Sequence, residues 1–243
     1  MSHGNRPEKT ARTPLEAAAA YLRRVSSSIR ESAAGSLTLR RDGEAAALRD
    51  FASERGLILD PFEVLAPAWP GGEEHLIWRD DAQDRVIKLT KPNCFGLTVE
   101  AEWFLYEDRD EAEIKPALRG ATPLEYLDRL LLQNEVFGDE VALLGIVDKR
   151  QAMHVVTSQP TIVGEAATID AIVQFMATLG FRELPRIALG RLGALSFLRA
   201  HDGIAAFDCH AANFLLSEGN VFPIDVLLVR SSAELLSALS PAR

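Results

Sequence analysis

The 243 residues suffice for one medium domain or two small ones, and 47% hydrophobic with 25% charged residues is a globular balance that sets disorder aside. The net charge of -9 argues against a general nucleic-acid or anionic-membrane partner, since both need a field of Lys and Arg to exchange for counterions. No apolar run approaches the roughly 20 residues that cross a bilayer, no signal-peptide core follows Met1, and Cys94 and Cys209 share no metal-ligand spacing; the expectation is a soluble cytoplasmic protein with two free thiols.

At the amino end, Arg6, Lys9, Arg12, Arg23, Arg24 and Arg30 are interrupted by Glu8 and Glu16, which reads as a solvated helix rather than a transit peptide. Thr13, Pro14 and Glu16 supply an N-cap, a favourable first helical residue and a capping-box acid, and Leu15, Ala19, Leu22, Val25 and Ile29 recur at helical spacing. A second helix is predicted from Asp42, with Leu48, Phe51 and Ala52 inward and Gly56 as its stop. Beyond Pro70 the pattern changes. GGEEHLIW, the polar turn DDAQD and RVIKLT read as a hairpin, whereas residues 92–121, with Phe95, Trp103, Phe104 and Tyr106 among many acids, read as an insertion.

Thr122, Pro123 and Glu125 repeat the capping signature, so LEYLDRLLLQNEVF is predicted helical to about Phe137, with Gly138 as its stop. VALLGIV and MHVVTS follow as strands, then helices over 168–179 and 186–200, then two short strands, FLL and VFPIDV, around the turn SEGN. The fold class is therefore α+β, with no internal repeat.

The chemistry gathers near the carboxyl end. Asn213 stands at the fifth position after Asp208, and Asp225 closes the second strand of the final hairpin. Two strands joined by a turn fold the chain back on itself, which brings the oxygens of Asn213 and Asp225 close enough to share a cation. Magnesium takes hard oxygen ligands and keeps water and substrate phosphate in its shell, so one amide and one carboxylate suit it. Asp208 beside them would accept a hydroxyl proton or orient an acceptor.

The run GIAAFDCHAANFLLSEGNVFPID resembles the catalytic loop and metal-binding segment of the protein-kinase-like superfamily, and its Asp, Cys, His, Ala, Ala, Asn portion is similar to small-molecule kinases of the aminoglycoside phosphotransferase type. GGEEHLIW, RVIKLTKP, ATPLEYL, FGDE, VTSQP and FPIDV together resemble the kinase domain of bacterial and phage polyvalent proteins, over roughly residues 44–230. The resemblance implies ATP and Mg2+ as cofactors. It casts Lys88 as the strand lysine on the ATP phosphates, Gly71 and Gly72 as the phosphate-covering turn, Asp208 as the catalytic aspartate, and Asn213 and Asp225 as metal ligands. Thr157 to Pro160, with Gln159, would be the hinge against adenine. It also implies a two-lobe fold: a helical extension over 1–58, a first lobe over 59–158 and a short second lobe over 159–243.

This chain departs from the family pattern at several places. Ala206 and Phe207 replace the usual His before the catalytic Asp, Leu227 stands where a glycine is usual, and the expectation from residues 226–243 is a second lobe without an activation segment and peptide-docking helices. The expected activity is transfer of the γ-phosphoryl group of ATP to a hydroxyl of a protein or small molecule. The alternative is a pseudokinase-like nucleotide-binding module whose short second lobe serves a protein partner; a plain α+β interaction domain is the third reading.

Each residue also has a structural reading. Lys88 within VIKLT could lie on a solvent-facing side of its strand, and a glycine pair more often makes a hairpin turn than a phosphate cradle. Kinase-like sites hold the strand lysine with a helix acid, and Glu125, Asp128 and Glu135 all qualify by type. His210 reads as an orienter of its loop, and His201 as a helix-terminal residue.

Overall fold

The computed structural model describes residues 12–65, 69–70, 74–105, 112–149 and 152–240. Helix α1 (Pro14–Ala33) starts on the capping box of Thr13 and Glu16, both halves of which are formed. Helix α2 (Leu37–Arg55) begins earlier than Asp42, because the Ser36 hydroxyl accepts the amide of Leu39 and caps it; Gly56 ends it at φ 65°. A short α3 (Pro61–Leu65) leads to β1 (Trp69–Pro70), and β2 (His75–Asp80) pairs with β3 (Arg85–Thr90) as the expected hairpin. Gly71 and Gly72 fall outside the described residues.

Within 92–121 lies a two-stranded antiparallel ribbon, β4 (Leu97–Leu105) with β5 (Ala112–Gly120). Helix α4 (Pro123–Phe137) again opens on a complete capping box and closes on Gly138 at φ 70°. Strands β6 (Ala142–Lys149) and β7 (Ala152–Pro160) complete a five-stranded antiparallel sheet in the order β1-β2-β3-β7-β6. Then come β8 (Glu165–Ala166) and α5 (Ile169–Thr178).

The helix expected over 186–200 does not form. After β9 (Arg182–Glu183) the chain turns through Gly190 at φ 101° and Gly193 at φ 83°, a conformation a helix interior cannot hold, and β10 (Leu195–Arg199) follows. His201 accordingly lies in the turn after this strand rather than at a helix end. β10 pairs with β11 (Ile204–Cys209), which pairs with β14 (Leu227–Arg230), giving the order β14-β11-β10-β9. Between them stands the hairpin β12 (Phe214–Ser217) and β13 (Asn220–Pro223), and α6 (Ala233–Leu239) follows. Val99, in the stretch read as an insertion, is buried with Leu198, Phe207 and Leu227, so one face of the ribbon belongs to this core.

Helix α4 is the hub. Leu15, Ala18 and Leu22 of α1, Leu48 and Phe51 of α2, Leu127 and Leu130 of α4, and Met153 and Val155 of β7 share one apolar core. Polar contacts reinforce it: Arg23 pairs with Asp128 at 2.6 Å, Arg40 with Glu125, and the buried Glu44 carboxylate accepts the Leu124 amide at 2.9 Å, supplying negative charge at the helix N-terminus. Leu22 is fully buried in this core. A Leu22→Ala variant should therefore lose about 2–5 kcal/mol of stability, read by urea denaturation. Among the described residues, no helix is long and apolar enough to cross a membrane.

Candidate functional site

Strand alternation aims Lys88. Ile87 and Leu89 are buried with Val64, Val147 and Val156 on one face of the five-stranded sheet, which sends Lys88 and Thr90 to the other face, the one α4 covers. Lys88 sits opposite Ile77 and Thr157 in the ladders, and His75 opposite Thr90. The Lys88 ammonium then reaches out of the sheet and donates to the Ile224 carbonyl at 2.7 Å. Ile224 is the residue before Asp225, so the strand lysine and the carboxyl-terminal acid meet.

The β12–β13 hairpin places the other two groups. Phe214 pairs with Pro223, and the Ile224 amide donates to the Asn213 carbonyl at 2.9 Å, which clasps the chain at Asn213 to the chain at Asp225. The Asn213 amide nitrogen donates to the Asp208 carbonyl at 2.9 Å and to its carboxylate at 3.3 Å. Those two acceptors fix the amide's orientation and leave the Asn213 Oδ1 with its lone pairs to offer. Asp208 itself takes a left-handed φ of 55°, and its carboxylate accepts the Arg191 amide at 2.7 Å and lies 3.6 Å from His210 Nε2.

Burial would push the Asp225 carboxyl up, but the positive groups around it, Lys88 above all with Arg129 adding, outweigh burial and hold it below the usual carboxylate range. An ionised carboxylate and an available amide oxygen are a hard-oxygen pair that fits magnesium with water and phosphate completing its shell. A ligand atom from each of Glu74, His75 and Asp225 also lies within 4.8 Å of the others. That trio is a poor cation cage on its own, because Glu74 is bonded to Arg129 at 2.7 Å and His75 Nε2 to the Tyr126 hydroxyl at 3.2 Å. Burial, the largest influence on His75, brings its pKa down to about 4, so it is neutral near pH 7.

None of the three α4 acids meets Lys88 in the contacts they make. Glu125 closes the capping box and pairs with Arg119 and Arg40; burial opposes its ionisation, yet these partners hold it at about 2. Asp128 turns to Arg23, and Glu135 to Arg230 at 3.2 Å. The α4 residue on the site side is Arg129, buried and held charged by Glu74 against the cost of burial. Its position in the sequence, a lone cation inside the apolar run LDRLLL, was the available signal. Glu74 and His75 were within GGEEHLIW, and Asp139 within FGDE.

Asp139 follows α4, and burial pushes its carboxyl up to about 7, with Lys88 opposing. A raised acid keeps its proton in the folded state between about pH 4 and pH 7 while the unfolded chain gives it up, so this group lowers stability as pH rises through that window. An Asp139→Asn variant should gain stability relative to the parent at pH 8 but not at pH 4, measured by urea denaturation at both.

The segment proposed as a hinge lies mostly inside the sheet. Thr157 and Ser158 of β7 are paired to β3 on one side and β6 on the other, and the Ser158 carbonyl also accepts from Arg85 at 3.2 Å. β6 pairing ends at Ser158, so Gln159 keeps one open edge while still opposite Val86.

A family model described as the serine/threonine/tyrosine kinase found in polyvalent proteins matches residues 99–230. No curated protein and no solved structure matches.

Proposed function

The chain belongs to the serine/threonine/tyrosine kinases found in polyvalent proteins, and from that premise we propose that it transfers the γ-phosphoryl group of ATP to a hydroxyl acceptor. The supporting observation is the 2.7 Å bond from Lys88 to the carbonyl next to Asp225, which joins a strand ammonium to the hairpin carrying Asn213. In this reading Asn213 and Asp225 hold magnesium, whose charge would offset that of the phosphates. Lys88 binds phosphate oxygens, and Asp208, fixed by Arg191 and Asn213, orients the acceptor hydroxyl and takes its proton. Adenine would meet the open edge at Gln159, with Gly71 and Gly72 covering the phosphates.

The architecture in this reading is two-lobed, with 59–158 and 159–243 as the lobes and 1–58 as a helical extension clamped to α4. A pseudokinase-like module is the second reading, favoured by one observation: among the described residues Lys88 has no ion-pair partner, and its ammonium rests on a neutral carbonyl. Incubation with γ-labelled ATP and magnesium separates the two. Self-labelling or release of labelled phosphate supports the phosphotransferase; tight MgATP binding with neither supports the module.

A further inference from the structure

Glu74 and Arg129 are locked together beside the site. Arg129 donates to both Glu74 oxygens, at 2.7 and 3.5 Å, and the Leu97 amide donates to the same carboxylate at 3.0 Å. Room for the pair is cut from the backbone: a Cβ at Gly96, which sits at φ 71°, would fall 2.5 Å from the Glu74 carboxylate and 2.9 Å from the Arg129 guanidinium. Arg129 also lies over the Tyr126 ring, 5.3 Å from its centroid, and Tyr126 reaches His75. The pair thus ties α4 to the start of β2 and the start of β4, with the Glu74 carboxylate within 4.8 Å of an Asp225 oxygen.

We propose that Glu74 and Arg129 are the positioning pair of the nucleotide site, docking α4 with the acid just ahead of β2 and the base on the helix. The inference rests on the nucleotide reading of this site. A buried ion pair is a weak source of net stability, since an apolar replacement often costs nothing, whereas a forked arginine on a carboxylate fixes distance and angle. Here it fixes the helix against the start of β2. With the docking done by this pair, Lys88 shares its charge with no helix carboxylate and keeps it for phosphate.

The test compares MgATP with adenosine, which lacks the phosphates, as calorimetric ligands of the full chain and its Arg129→Met, Asp128→Asn and Glu135→Gln variants. Arg129→Met should bind MgATP about tenfold or more weakly, while adenosine affinity stays at the parental value; the two acid variants should match the parent for both. Parental MgATP affinity in Arg129→Met, or an equal loss in either acid variant, overturns the inference and leaves the nucleotide site standing. Equal losses for MgATP and adenosine in Arg129→Met reduce the pair to a scaffold and overturn it too. A parent that binds no MgATP removes the site reading first, and the inference with it. Should Arg129→Met fail to fold, Arg129→Lys keeps the charge but not the fork: selective loss of MgATP supports the pair, and parental affinity for both ligands overturns it.

Discussion

A Lys88→Met variant should bind MgATP about 10- to 100-fold more weakly than the parent, the range expected when a charge-assisted contact worth roughly 1.5–3 kcal/mol is lost. The substitution keeps most of the apolar stem, so the strand should still pair with β2 and β7. What disappears is the ammonium now 2.7 Å from the Ile224 carbonyl. Two consequences follow from its place among the charges. Asp225 loses the largest positive influence that holds it ionised, so magnesium binding weakens as well. Asp139 loses the charge that opposes its raised pKa and should titrate higher still. Calorimetry with and without magnesium reads the first effect; unchanged affinity would place Lys88 outside the phosphate site.

The second large effect is on turnover. Asp208→Asn should cut phosphoryl transfer by about 10²–10⁴, the range for loss of a positioned acid–base group, with MgATP affinity changed far less. Asparagine tolerates the left-handed φ of 55° at this position, so the loop survives the exchange. Its amide can still accept from Arg191, but it sets one NH2 against that of Asn213, which gives a modest loss in metal affinity. Gly190→Ala should act in the same direction without touching the carboxylate chemically. A Cβ there would fall 2.2 Å from Asp208 Oδ1, and φ 101° is strained for alanine, so the carboxylate must move. Equal turnover by parent and Asp208→Asn would remove Asp208 from the mechanism.

Much of the fold was legible because the local signals were redundant. Capping boxes at Thr13 and Thr122, and Gly56 and Gly138 as stops, fixed four helix ends, and the polar turn between HLIW and RVIKLT fixed the hairpin. Residues 186–200 misled because apolar residues there recur at helical spacing, while Gly190 and Gly193 supply left-handed turns that no helix interior holds. Acids on the outward face of the ribbon hid the alternation of 97–105. The approach of Asn213 to the Asp225 segment could be anticipated from hairpin closure, a short-range rule, whereas the meeting of Lys88 with that segment, 136 residues away at Ile224, was implied only by the family resemblance. The partner of α4 could not be anticipated. Helix α4 is buried on two sides, by α1 and α2 and by the sheet, so a search limited to acids, which named Glu125, Asp128 and Glu135 by type, missed Arg129 in the inner place.

The site itself is tested most directly by determining the structure with magnesium and a non-hydrolysable ATP analogue. The expected result is a metal about 2.0–2.1 Å from oxygens of Asn213 and Asp225, with Lys88 lifted from the Ile224 carbonyl onto a phosphate oxygen. A nucleotide bound elsewhere on the molecule, with Lys88 still on that carbonyl, would contradict it.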